Sequence, residues 1–177
     1  MIRVLAIDPG TRNTGVALVD ERGVSCAARI RFSEPLGTDN AAIIARSGEL
    51  AERLQPILDA WRHDVVVLEG YTPWSYGDGN AAATTQLLIL VGWLSCHLKA
   101  ENLHIQYSDD VLAPSREHSI FWHLGINPRA TKGMDKVARL RLLEGYLPGG
   151  EKCKGDKDMI AAAAHGLWYV REHERLF

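Results

Sequence analysis

A chain of 177 residues, 46% of them hydrophobic, can bury one sizeable core and is short for two, so a single domain over 1–177 is expected. The formal charge of −2 excludes a uniformly basic polyanion binder, yet from Arg129 to Lys157 eight Lys and Arg residues stand against four acids. Three scattered cysteines, Cys26, Cys96 and Cys153, make neither a zinc-ligand spacing nor a disulfide framework and suit a reducing compartment.

Taken in chain order, Arg3 to Ile7 and Gly15 to Val19 read as short strands joined by a Gly/Pro/Asn turn. Val24 to Phe32 follows as a third strand after the turn Glu21-Arg22-Gly23. Thr38 or Asp39 then caps a helix whose apolar positions, Ile43, Ile44, Leu50, Leu54, Ile57 and Leu58, approximate helical spacing as far as Trp61. Val65 to Leu68 is a continuous apolar run, the pattern of a strand buried on both faces. A loop rich in Gly, Pro and aromatics, Gly70 to Asn80, leads into a largely apolar helix from Ala81 to Leu98. Thr84, Thr85, Gln86, Ser95 and His97 interrupt that helix, which makes it a buried or subunit-contacting element rather than a membrane span. Its apolar faces, with Leu87, Leu90, Val91 and Leu94, are the candidate for part of a dimer interface, the rival being burial within one chain. Leu103 to Tyr107 gives a fifth strand, and helices are expected over about Ser115 to Leu124, Gly133 to Tyr146 and Asp156 to His173. This order predicts an α/β protein with a hairpin-led mixed sheet flanked by helices. With no signal-like opening, the expectation is a soluble cytoplasmic protein without membrane association.

Two acids share a circumstance. Asp8 ends the first strand and Glu69 the fourth, and each is followed by a glycine or by Pro-Gly. If those strands are parallel neighbours, both carboxylates emerge at one sheet edge, where open α/β sheets place ligands. Asp156 and Asp158 stand at the start of the last helix, whose Ala161 to Ala164 and Gly166 let it press closely on a sheet. Together the four acids form an all-oxygen donor set suited to Mg²⁺ or Mn²⁺. Clustered carboxylates repel, so at least one pKa should rise without a cation. Two ions about 3.5–4 Å apart can activate water and stabilise the leaving oxygen of a phosphodiester. Pro9-Gly10 would then turn the chain away and leave room for phosphate.

The segments "IDPGTRNTGVAL", "VVVLEG", Lys132 to Val137 and "DMIAAAAHGLWYV" resemble, in order and spacing over nearly the whole chain, the RuvC-type Holliday-junction resolvases of the RNase H-like superfamily. The resemblance implies a mixed five-stranded sheet of order 3-2-1-4-5, a homodimer, and Mg²⁺-dependent paired symmetric nicks in four-way junction DNA, leaving 5′-phosphate and 3′-hydroxyl ends. It implies two Mg²⁺ ions per site, with Mn²⁺ able to substitute, and it applies whether the protein is encoded by a cell or by a virus within one. Carried over by position, the strand-one Asp falls on Asp8, the strand-four Glu on Glu69 and the final-helix Asp on Asp158. The family places an acid or His three residues before that last Asp; here the position is Gly155, and Asp156 is the substitute fourth ligand. The junction-probing aromatic is also displaced, with Tyr71 and Trp74 bracketing its place. Lys136 falls where relatives carry a basic residue near the scissile phosphate, with Lys132 and Arg129 preceding it, and Arg12 in the turn after Asp8 is a further phosphate contact. His165, among alanines, reads as a packed core histidine.

Three rivals stand beside this reading. Asp-Pro-Gly-Thr also resembles the phosphate loop of actin-like ATPases, whose duplicated second half 177 residues do not supply. Another RNase H-like nuclease, acting on branched DNA or RNA–DNA hybrids, would present a similar three-acid site. A non-catalytic junction binder would gain by losing negative charge near phosphate, which the retained acids contradict.

Overall fold

Five strands organise the protein: β1 (Val4–Asp8), β2 (Asn13–Asp20), β3 (Gly23–Arg31), β4 (Val65–Gly70) and β5 (Leu103–Tyr107). The computed structural model describes residues 1–34, 39–71, 81–98, 102–107 and 111–174. The sheet has the order β3-β2-β1-β4-β5, as the family resemblance implies. β1 to β3 form an antiparallel meander, while β4 pairs parallel with β1 and β5 parallel with β4.

The helices divide between the two faces. α1 (Asn40–Ala60) and α2 (Ala81–His97) cover one face, packing against Leu5, Ile7, Val16, Val66 and Leu68. Of the two candidate caps for α1 the described one is Asp39, whose carboxylate accepts from the Ala42 N–H. Leu90, Val91 and Leu94 are buried in this layer and Leu87 packs at its margin, so that face of α2 belongs to the core of a single chain. Among the described residues of α2, the large apolar side chains left exposed are Leu88 and Trp93.

The opposite face carries α3 (Ile120–His123), α4 (Lys136–Tyr146) and α5 (Lys157–Glu174). α3 is one turn, much shorter than the predicted Ser115 to Leu124, because His118 takes a left-handed φ of 65° and Ser119 is extended, so helix cannot begin before Ile120. α4 likewise starts three residues later than predicted. Gly133 has a φ of 81°, and Asp135 caps the helix by accepting from the Ala138 N–H.

α5 lies closest to the sheet. Its run from Ala161 to Ala164 is fully buried, and a Cβ on Gly166 would lie 2.9 Å from Val19 Cγ2 and 3.1 Å from Ala6 Cβ. The small side chains bring the helix backbone near enough for polar groups on it to reach strand-end acids. No helix among the described residues is long and apolar enough to cross a membrane.

Candidate active site

Strand alternation decides which way the acids point. In β1, Val4 and Ala6 face α5 while Leu5 and Ile7 face α1 and α2; in β4, Val65 and Val67 face α5 while Val66 and Leu68 face the other layer. Asp8 and Glu69 continue the α5-facing sets. The parallel register Val4↔Val65, Ala6↔Val67 and Ile7↔Leu68 leaves them one step further along neighbouring strands. The sheet therefore delivers two carboxylates side by side at its carboxyl edge.

The third acid arrives by a close backbone approach. Asp8 pairs across the hairpin with Gly15, and a Cβ on Gly15 would lie 2.0 Å from the Asp158 carbonyl oxygen. Only glycine lets the first turn of α5 rest on the strand at this point, and that contact sets Asp158 beside Asp8. Asp8 and Asp158 are 8% and 9% exposed and line an open cleft of about 260 Å³ with Pro9, Gly10, Thr11, Arg12, Asn13, Tyr71, Leu87, Lys136 and Lys157.

Glu69 lies beneath the cleft, fully buried, and with both acids ionised neither of its carboxylate oxygens has a hydrogen-bond partner. Lys136 Nζ stands 3.9 Å from Glu69 Oε1, and His165 Nε2 stands 3.7 Å from the same oxygen. Burial, the charge of Glu69 and a hydrogen bond with it, and the charge of Asp158 push Asp8 well above the ordinary carboxylate range, against the opposing pull of Lys136. Burial acts on Glu69 in the same direction. There it is outweighed by the His165 ring, the Asp8 hydrogen bond and Lys136, which hold Glu69 below the ordinary range. Without a cation, then, Asp8 is the harder of the two acids to ionise.

Orphaned oxygens on a buried carboxylate are costly, and a hard divalent cation is the partner an all-carboxylate set selects. The donor chemistry of Asp8, Glu69 and Asp158 fits that group. Among the described residues no three His, Cys, Asp or Glu side chains are already gathered around one point as a metal cage. Lys157 Nζ is 2.7 Å from Asp158 Oδ1, so one of the Asp158 carboxylate oxygens is engaged by an exposed lysine that can swing away.

The remaining sequence candidates separate. Arg12 and Lys136 line the cleft with the acids. Asp156 does not: its carboxylate caps α5, accepting from the Asp158 and Met159 N–H groups, and its second oxygen pairs with Arg29. Proximity in sequence to Asp158 made it a candidate ligand, but it stands just outside the helix, where aspartate is favoured for capping. Tyr71 is buried, packed with the α1 and α2 layer, and its hydroxyl donates to Asp8 Oδ1 at 3.1 Å and to the Pro9 carbonyl at 3.1 Å. Its ring offers no open face for a base in this arrangement. Trp74 lies outside the described residues. Arg129 and Lys132 line a separate depression with Ser115, Thr131, Met134 and Arg139, beside the start of α4.

Three residues of the site were not singled out for it in the sequence. Lys157 sits on Asp158, His165 faces Glu69, and Gln106 is the β5 residue paired with Glu69 in register. A signal for His165 exists: it falls seven residues, two helical turns, after Asp158 and therefore on the same helix face.

Neither protein-family models nor curated protein sequences give a match to this chain. Solved structures do. RuvC of Thermus thermophilus aligns with a TM-score of 0.58 at 15% identity, covering 97% of each chain. The T. thermophilus RuvC in complex with Holliday junction substrate aligns with a TM-score of 0.59 at 14% identity, over 97% of this chain and 96% of that one. The yeast mitochondrial Holliday junction resolvase Ydc2 aligns with a TM-score of 0.52 at 15% identity, over 99% of this chain and 85% of that one. From end to end, and with the sheet order the resemblance implies, this chain has the RNase H-like fold of the RuvC-type resolvases.

Proposed function

We propose that the protein is a structure-selective endodeoxyribonuclease that resolves four-way DNA junctions by paired symmetric nicks, working as a homodimer. The observation that carries this reading is the meeting of Asp8, Glu69 and Asp158, from three elements, at one cleft whose deepest carboxylate lacks any hydrogen-bond partner when ionised beside an ionised Asp8. Resolvases among the solved structures of this fold support the choice of substrate.

Asp8, Glu69 and Asp158 would hold divalent cations, Mg²⁺ or Mn²⁺. Such cations supply charge neutralisation at the phosphate and a water of lowered pKa. The chain's own residues do the rest. Lys136, reaching toward Glu69 from the N-terminus of α4, and Arg12, in the β1–β2 turn, place positive charge on the cleft wall where a phosphate oxygen would lie. Tyr71 fixes Asp8 Oδ1 from the opposite layer. Arg129, Lys132 and Arg139 hold backbone phosphates further along the strand, positioning it without reading sequence. A two-fold dimer presents two such clefts to a substrate of matching symmetry.

Labelled four-way junction, linear duplex and RNA–DNA hybrid, each incubated with protein and Mg²⁺, test the proposal. Paired nicks at symmetric positions, confined to the junction, are expected. Preferential cutting of the hybrid would move the protein to another nuclease class of the same fold, and absence of cleavage on all three would overturn the nuclease reading.

A further inference from the structure

With both acids ionised, five buried side-chain atoms among the described residues lack hydrogen-bond partners, and four of them lie in one place: Glu69 Oε1 and Oε2, His165 Nε2 and Gln106 Nε2. Glu69 on β4 and Gln106 on β5 are register partners. His165 descends on them from α5, with Nδ1 3.3 Å from Gln106 Oε1 and Nε2 3.7 Å from Glu69 Oε1. His165 and Glu69 are wholly buried and Gln106 nearly so.

The amide of Gln106 can present either end to Nδ1, because its oxygen and nitrogen have nearly the same shape. With the oxygen toward a neutral ring, Nδ1 carries the hydrogen and Nε2 aims a lone pair at the Glu69 carboxylate, an unfavourable contact. With the NH₂ toward the ring, Nδ1 accepts and Nε2–H points at Glu69 Oε1. That arrangement partners His165 Nε2 with Glu69 Oε1 and leaves two acceptors without a donor, the Gln106 amide oxygen and Glu69 Oε2, which buried sites tolerate better than an unmatched N–H. Closing 3.7 Å to a hydrogen bond of about 2.9 Å needs a shift of under an ångström.

We infer that His165 is a positioning residue of the cleft: held by Gln106 with its hydrogen on Nε2, it donates to Glu69 from beneath and fixes the carboxylate that faces the cation site. This rests on the reading of Asp8, Glu69 and Asp158 as that site. Partners of this kind orient metal-binding carboxylates, and their removal commonly weakens metal affinity by about 10–100-fold.

Two measurements test it. In a long-range ¹H–¹⁵N spectrum of the cation-free protein, the His165 ring should carry its hydrogen on Nε2; a neutral ring protonated on Nδ1 alone overturns the inference. In a Mn²⁺ titration followed by electron paramagnetic resonance, His165→Phe should raise the dissociation constant about tenfold or more. His165→Gln, which keeps an N–H donor near the position of Nε2, should recover most of that loss. Equal Mn²⁺ affinity in the parent and His165→Phe overturns the inference while leaving the cation site standing. Failure of the parent to bind Mn²⁺ removes the cation site itself, and with it the role given to His165. Should His165→Phe not fold, the tautomer measurement on the parent decides the matter alone.

Discussion

Asp8 and Glu69 are adjacent carboxyls pushed in opposite directions, and the sign of each effect is separable. Glu69 lies below its ordinary range, so its contribution to stability is complete above that range and is lost only in strong acid. Asp8 lies well above its ordinary range, so its contribution is present in acid and is lost as pH rises through its raised value. Above the ordinary carboxylate range the pH dependence from this pair thus belongs to Asp8. The cation-free protein should melt at lower temperature as pH rises through that window, and Asp8→Asn should remove that part of the slope. At neutral pH Asp8→Asn should leave cation-free stability equal to the parent or higher, because repulsion is relieved, while abolishing cleavage. A marked loss of cation-free stability, read by thermal melts, would instead make Asp8 a prop of the fold. Apparent cation affinity should rise with pH, since binding requires the ionised form of Asp8, which burial and Glu69 disfavour.

At the scale of elements, the site depends on how closely α5 rests on the hairpin. Gly15→Ala would drive a Cβ into the Asp158 backbone, so either strand or helix must shift. The expected cost is at least about 1–3 kcal/mol by denaturant melts, the range for overpacking, together with loss of cleavage as Asp158 leaves Asp8. Asp156→Ala separates capping from ligation in the same turn. As a cap, Asp156 should cost about 1 kcal/mol on removal and leave Mn²⁺ affinity near that of the parent; a large loss of Mn²⁺ affinity with unchanged stability would restore it as a ligand. Much of this was legible in the sequence. Apolar runs ending in an acid, at Asp8 and at Glu69, announce buried strands that deliver carboxylates to one edge, and the alanine run announces a helix pressed on the sheet. What sequence spacing could not separate was Asp156 from Asp158, because the choice turns on which carboxylate meets helix N–H groups and Arg29. Nor could it assign Tyr71, whose side depends on the path the chain takes after β4, or join His165 to Gln106 across a separation of 59 positions.

For the whole molecule, two surfaces remain to be matched to a branched, two-fold substrate. Arg129, Lys132 and Arg139 gather at one depression, so Arg129→Ala with Lys132→Ala should weaken junction binding on every sequence alike. The slope of log affinity against log salt should fall by about 0.9 for each duplex phosphate that the variant no longer neutralises, and an unchanged slope would place the DNA elsewhere. The proposed dimer needs a different surface, and the face of α2 first expected to supply it is spent inside the chain: Leu90→Glu would introduce a charge into the core and report on folding. The outward side is the alternative. Leu88 and Trp93 are 38% and 42% exposed, and Ile105 and Tyr107, on the edge strand β5, share the side of the sheet on which Leu103 packs beneath α2. Large exposed apolar side chains on one side of a molecule mark an association surface, and a two-fold contact uses the same patch twice. Leu88→Glu combined with Trp93→Glu should therefore convert a sedimenting dimer into a folded monomer. If symmetric cutting requires two clefts on one junction, that monomer should accumulate single nicks where the parent gives paired ones. A double variant that still sediments as a dimer and still cuts in pairs would remove α2 from the interface.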